Sequence, residues 1–237
     1  MARRPGNGLR YGLLATLVWA APAPAAQLPP LARAFRIPLR VPEERGVALT
    51  FDDGPHPQGT LAVLDALAAA GATATFFLVG EQVERFPSLA SEIVAAGHEV
   101  ANHGYRHRLL LRRSPSALAA DFDRAASLIG EVTGRAPSSY RPPYGVFSGP
   151  ALAIVRRRGW APWLWSKWGA DWTAHATAQS IAAKATEGLR AGDVVLLHDA
   201  DHYSSPGSWR RTAAALPAVL DAVAALGVEY APLTQST

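Results

Sequence analysis

The stretch VALTFDDGP, residues 47–55, joins a run of strand-forming residues directly to two carboxylates. Its β-branched and aromatic residues predict a buried strand, and Gly54 and Pro55 end that strand at once. In the simplest interpretation, Asp52 and Asp53 only begin a polar turn. Neighbouring residues of a strand point to opposite faces of the sheet, however, so the two carboxylates are placed to do different jobs.

The rest of the chain repeats this strand in alternation with helices. The predicted strands include WAPWLWS at 160–166 and VEYAPL at 228–233, and helical patterns of about ten residues or more separate the strands. Such alternation is typical of βαβ units and a parallel sheet. About seven units within roughly 190 residues suit a barrel or near-barrel better than an open sheet. The sequence therefore predicts one α/β domain over residues 46–233.

The N-terminus is predicted to be an export signal, residues 1–26. Three arginines precede the apolar run YGLLATLVWAA, and the small residues of PAPAAQ follow it. An apolar run of eleven residues is too short to span ~30 Å of hydrocarbon, so we expect no stable membrane span after cleavage. A retained anchor is the alternative. We expect an exported protein, and we interpret residues 27–45, which lack periodicity, as a linker.

The composition argues against several classes of protein. The chain has no cysteine, which excludes disulfides, thiolate catalysis and cysteine–zinc sites. Removal of Arg3, Arg4 and Arg10 with the leader lowers the formal charge from +4 to +1, so the basic composition does not indicate a nucleic-acid partner. No strand is followed by a glycine-rich dinucleotide or P-loop motif.

Chemically active residues follow several of the predicted strands, and parallel α/β folds collect such residues at the carboxyl ends of strands. His103 and His107 are four residues apart, the spacing that places two imidazoles on one face of a helical turn. Alone, such a pair is more often a pair of surface histidines. Together with a carboxylate from a neighbouring strand, it fits a catalytic zinc site with an open fourth position.

The other strand-end residues fit supporting roles around such a centre. His198 ends a buried strand and is a candidate general acid, although an isolated histidine there more often caps the strand. Asp171 could hold His198 and favour its imidazolium form. Arg141 could pair with whichever aspartate is not a metal ligand.

Five motifs, in a fixed order along the chain, resemble those of one protein family. TFDDGP, NHGYRH, RPPYG, ADW and VVLLHD resemble the motifs of the polysaccharide deacetylases of carbohydrate esterase family 4. The resemblance runs from about Gly46 to about Leu233. It implies a distorted (β/α) barrel of about seven parallel strands and a metal-dependent hydrolase that removes N-acetyl groups from glycans.

The resemblance also implies a role for each matching residue. Asp52 matches the catalytic base, and Arg141 matches the residue that holds it. His198 matches the general acid, and Asp171 matches its partner. The backbone N–H of Tyr144 would help to bind the oxyanion. The metal ligands, usually of zinc, would be Asp53, His103 and His107, and the walls of the acetyl pocket would be Trp172 and Leu196.

Two positions depart from the family pattern. Gly104 replaces a Ser or Thr after the first histidine, and Trp168 stands where an aspartate often precedes Asp171. The first change removes a hydroxyl that helps to order the loop, and the second concerns the subclass of substrate. Every residue of the core mechanism is present. The sequence leaves open the particular glycan, the oligomeric state, an O-acetyl esterase activity and a non-catalytic glycan-binding module.

Overall fold

The computed structural model describes residues 19–234 of the chain. Within this range seven parallel strands form one sheet in the order β5-β4-β3-β2-β1-β7-β6. The predicted α/β domain with about seven parallel strands is confirmed. The strands are β1 (Ala48–Asp52), β2 (Thr75–Leu78), β3 (Glu99–Asn102), β4 (Ser139–Tyr140), β5 (Ala161–Pro162), β6 (Lys167–Trp168) and β7 (Val194–His198).

Helices connect the strands, as parallel pairing requires. The short helix α3 follows β2 and was not predicted. The cap of α5 was predicted correctly: the Ser114 hydroxyl accepts the N–H of Ala117, and Pro115 opens the first turn. In the described part of the chain the helices are α1 (Pro29–Ala34), α2 (Gly59–Ala69), α3 (Gly80–Arg85), α4 (Pro87–Ala95), α5 (Pro115–Thr133), α6 (Gly149–Arg157), α7 (Ala178–Thr186) and α8 (Ser208–Ala225).

The predicted strand at 160–166 is wrong in its extent. The structure has two strands of two residues each, β5 and β6, and these lie at opposite edges of the sheet. The chain between them leaves one edge and joins the other: the N–H of Trp163 donates to Tyr140 in β4, and that of Ser166 donates to Val194 in β7. This crossing, rather than one long strand, curls the sheet toward a barrel.

The predicted closing strand at 228–233 is also wrong. Only a single bridge forms there, between Val47 and Tyr230. Both edges of β1 are already paired with β2 and β7, so this segment can reach the sheet only at the residue before β1 begins.

The start of the described chain packs against the domain. Within the segment 27–45, interpreted above as a linker, Ala32, Ile37 and Val41 are buried in hydrophobic clusters. Residues 1–18 of the predicted export signal lie outside the described range, so the signal stays a prediction. No helix between residues 19 and 234 combines the length and the apolar character that a membrane crossing needs.

Candidate active site

A cavity of about 330 Å³ opens where β1, β3 and β7 end. Eight of the ten predicted site residues line this cavity: Asp52, Asp53, His103, His107, Tyr144, Trp172, Leu196 and His198. The other two, Arg141 and Asp171, are fully buried behind its wall. The structure therefore brings all ten residues to one place.

The two adjacent aspartates are separated by the turn that follows β1. Asp52 is in register with His198 of β7, whereas Asp53 has a φ of +81°, in the left-handed region that aspartate tolerates better than most residues. Gly54 follows because a Cβ there would lie 2.3 Å from the Asp199 carboxylate. The turn is real, and it directs the two buried carboxylates to different neighbours.

Asp53 lies against the two histidines. Its Oδ1 atom is 3.5 Å from Nε2 of His103 and 3.3 Å from Nε2 of His107. Nδ1 of His103 lies 2.8 Å from the carbonyl oxygen of Arg141, a contact in which Nδ1 donates and the ring turns Nε2 toward Asp53. Burial lowers the pKa of His107 to about 4, so this ring is neutral, as a metal ligand must be.

These three side chains fit a divalent metal ion. Their ligand atoms lie within 4.8 Å of one another, and Asp53 Oδ1 is buried without a hydrogen-bond donor among residues 19–234. Ligands at about 2.0–2.1 Å around a tetrahedral ion are roughly 3.3 Å apart, close to the separations found here. Burial alone would raise the pKa of Asp53, but the contact with His103 and the charge of His198 lower it to about 2.

The two histidines do not lie on a helical turn, contrary to the prediction. Residues 103–107 form an irregular loop after β3, in which Gly104 has a φ of +84°. The Asn102 side chain accepts the N–H of Gly104 at 2.7 Å, and Asp121 on α5 accepts that of Tyr105 at 2.8 Å. Side-chain acceptors thus hold this loop and bring the imidazole rings to a centroid distance of 5.4 Å.

Asp52 is held by Arg141, whose side chain is 0% exposed. The guanidinium donates to Asp52 Oδ1 at 2.7 Å, to the Thr50 hydroxyl at 2.8 Å and to the carbonyl of Leu164 at 3.1 Å. Its Cζ atom lies 4.0 Å from the ring centroid of Phe77. The Asp52 carboxylate therefore lies against a buried positive charge and is fixed in orientation by it.

His198 is held by Asp171. Nδ1 of His198 lies 2.9 Å from one carboxylate oxygen of Asp171, and its backbone N–H donates to the other at 2.7 Å. The Thr212 hydroxyl also donates to Asp171, at 2.8 Å. Burial alone would lower the pKa of His198, but the charge and hydrogen bond of Asp171, with help from Asp53 and Asp52, raise it to about 10. The geometry therefore favours an imidazolium that can give a proton.

Three further predicted residues shape the mouth of the cavity. Trp172 meets the His198 ring edge-on, with the ring centroids 5.4 Å apart. Leu196 is 2% exposed and contributes an apolar wall. Tyr144 has a φ of +60°, in the left-handed region, and its side chain is exposed.

Tyr203 lies at the site although the sequence reasoning left it out. Its ring stacks on that of His107, with centroids 4.3 Å apart and an interplanar angle of 9°. Its hydroxyl donates to Glu81 at 2.6 Å and accepts from Gln82 at 2.9 Å, both on α3. The available signal was position, because the loop that carries Tyr203 begins directly after His198.

The N-terminal segment supplies part of the cavity wall. Ala26 and Gln27 line the cavity, and Ala25 beside them is 0% exposed. A Cβ at Gly145, next to Tyr144, would lie 3.3 Å from the Cβ of Ala26. Residues outside the predicted catalytic domain thus contact the loop that carries Tyr144.

Comparison with known proteins identifies relatives along most of the chain. A sequence profile of the polysaccharide deacetylase family matches residues 40–163. A chitooligosaccharide deacetylase of Bradyrhizobium is 36% identical, covering 81% of this chain and 90% of the relative. A peptidoglycan-N-acetylglucosamine deacetylase of Bacillus cereus is 31% identical, covering 81% of this chain and 88% of the relative.

The fold agrees with these sequence matches. A family 4 carbohydrate esterase from Streptomyces lividans, solved in complex with acetate, superposes with a TM-score of 0.71 at 30% identity. The superposition covers 80% of this chain and 93% of the esterase. The motifs, the fold and the relatives agree, and the chain belongs to the polysaccharide deacetylase family of enzymes, within carbohydrate esterase family 4.

Proposed function

We propose that this protein is an exported, zinc-dependent N-deacetylase of an N-acetylated glycan, from which it releases acetate. One observation carries the proposal: three metal-type ligand atoms, an arginine-held carboxylate and an aspartate-held imidazole surround one cavity. The chitooligosaccharide and peptidoglycan substrates named for the relatives support an N-acetylated glycan as the substrate class.

The donor set suits Zn²⁺, since two imidazoles and one carboxylate with an open position are typical of catalytic zinc. Asp53, His103 and His107 would hold the ion. When bound there, it would supply Lewis-acid polarisation of the acetamide carbonyl and lower the pKa of water.

The protein's own residues would move the protons. Asp52, held in place by Arg141, accepts a proton from water as water attacks the acetamide carbon. His198, kept protonated by Asp171, gives its proton to the sugar nitrogen as the carbon–nitrogen bond breaks, and acetate leaves. The proton acceptor and the proton donor are thus separate groups, and each is held by its own buried partner.

The remaining residues position the acetyl group. The backbone N–H of Tyr144 would donate to the oxygen that becomes negative in the transition state. Leu196 and Trp172 would enclose the methyl group, because they supply the apolar surface next to His198. Water exclusion by these walls strengthens the electrostatic contacts inside the cavity.

The test is acetate release from chitooligosaccharides, peptidoglycan and acetylated xylan, with and without a chelator. We expect release from an N-acetylated glycan, loss with the chelator and recovery on addition of Zn²⁺. Release from acetylated xylan alone would instead support an O-acetyl esterase. A metal-free protein that binds glycan without releasing acetate would support a non-catalytic module.

A further inference from the structure

The two lysines of the chain lie together beside the catalytic cavity. The 23 basic residues comprise 21 arginines and only these two lysines, Lys167 and Lys184. Both line a second cavity of about 360 Å³. Trp168 lines this cavity and the catalytic cavity as well, so the two cavities share this residue. The other residues of the second cavity are Ser166 and Glu187.

Neither ammonium group is neutralised by an acid. Across residues 19–234, no carboxylate oxygen lies within 4.0 Å of Lys167 or Lys184, whereas Arg124 and Arg158 at the surface each form an ion pair. Lys167 donates to the backbone carbonyl oxygen of Glu187, and this carbonyl is a neutral group. Lys184 places its Nζ 5.3 Å from the Trp168 ring centroid. The Glu187 carboxylate lines the same cavity, so the two ammonium groups and this carboxylate give its lining a net charge of +1 at one side of the catalytic cavity.

Trp168 connects these charges to the reaction site. It is 37% exposed, so a broad apolar face is open to solvent at the boundary between the cavities. Such a face can stack on a sugar ring, while the lysines beyond it offer compact point charges that bind anions without demanding one geometry. The arrangement suits a glycan that crosses Trp168 and carries a negative group on its next sugar.

We propose that Lys167, Lys184 and Trp168 form a second subsite, which binds a carboxylate on the sugar beside the one being deacetylated. This inference rests on the proposed deacetylase function and narrows its substrate class to acidic glycans. The subsite acts through binding alone and takes no part in the proton transfers. Because the lysines are solvent-exposed or only partly buried, their attraction is modest and depends on salt.

The test compares two forms of one glycan. Oligomers of N-acetylglucosamine and N-acetylmuramic acid carry carboxylates, which can be converted chemically to neutral methylamides. For the wild-type enzyme loaded with Zn²⁺, we expect a KM about fivefold lower for the acidic form, from two exposed charge contacts. The preference shrinks when the salt concentration rises from about 0.05 M to about 0.5 M.

The variants identify the source of the preference. In the double variant Lys167→Met/Lys184→Met, we expect similar KM values for the two forms, whereas Lys167→Arg/Lys184→Arg keeps the preference. Arg135→Gln, which removes an exposed charge that lines neither cavity, is the control and also keeps it. Equal KM values in the wild type, or a preference that survives in the methionine variant, overturn the subsite. Absence of acetate from every glycan overturns the proposed function instead.

Discussion

Replacement of Asp171 by asparagine tests the assignment of His198 as the proton donor. The carboxylate bonds both the ring and the backbone of His198, and it is the largest of the influences that raise the pKa of that imidazole to about 10. Asparagine has nearly the same shape but no charge. We therefore expect Asp171→Asn to lower the pKa of His198 and to move the alkaline limb of kcat/KM to lower pH.

The size of the effect follows from the fraction of His198 that carries a proton. At pH 8.5, a pKa of about 10 keeps roughly 97% of the imidazole protonated, whereas the ordinary value near 6.5 leaves about 1%. A return of this pKa to the ordinary value would thus lower the acid form by about 100-fold at pH 8.5, and by less than twofold at pH 6. In the variant Asp52 and Asp53 still raise this pKa while burial lowers it, so these opposing influences set how far the alkaline limb moves to lower pH.

The assay is the pH dependence of acetate release by both enzymes loaded with Zn²⁺. A bound divalent ion affects both forms alike, so the difference between the two limbs is the quantity measured. Thr212→Val is the control, since it removes one hydrogen bond to Asp171 but leaves the carboxylate, and its limb stays close to that of the wild type. Parallel pH profiles for Asp171→Asn and the wild type would refute the role of His198.

The same pair makes a prediction about the stability of the metal-free protein. The pKa of His198 is higher in the folded state than its unfolded value near 6.5. Its contribution to stability is therefore fully present below pH 6.5 and is lost as the pH rises through about 10. Urea unfolding of chelated protein should show this decline in the wild type and a weaker one in Asp171→Asn.

Substitutions at four more residues separate the remaining roles. Asp52→Asn should lower turnover by about 10²–10⁴-fold while zinc stays bound. Asp53→Ala should instead lose zinc on dialysis. Loss of zinc from both variants would refute the assignment of Asp52 as base and Asp53 as metal ligand. Arg141→Met should lower the free energy of unfolding by about 3–5 kcal/mol, because it leaves Asp52 buried and unpaired, and unchanged urea unfolding would contradict this. Tyr203→Leu should weaken zinc binding about tenfold in a chelator competition by freeing His107, while Tyr203→Phe keeps the stacked ring and most of the affinity. Equal loss in both would rule out stacking.

The sequence was most informative where neighbouring residues decide the outcome. The run before Asp52 forms a buried strand because its side chains are mostly apolar and include β-branched and aromatic residues. The Ser114–Pro115 pair begins a helix because Ser114 caps the first turn and Pro115 fits its first position. The site was predictable because parallel strands place their carboxyl ends together. His103 and His107 come together for a different reason from the one predicted, since a loop held by Asp121 replaces the helical turn.

The sequence was least informative where distant residues decide. The two short strands β5 and β6 depend on partners at opposite edges of the sheet, which no local pattern in 160–166 encodes. The stack of Tyr203 on His107 joins two loops that are 96 positions apart, and it exists only once the barrel is formed. The burial of Ile37 also depends on distant residues, because its segment has no periodicity of its own and packs into a hydrophobic cluster formed by other parts of the chain.

Because Ala26 and Gln27 line the cavity, removal of the predicted leader would alter the active-site wall according to the position of the cut. Cleavage after Ala23 would leave this wall whole. Cleavage after Ala26 would remove the buried Ala25, open one side of the cavity and place the new α-ammonium group of Gln27 at its rim. The choice of scissile bond by the export machinery would then set the width and the charge of the opening through which the glycan enters.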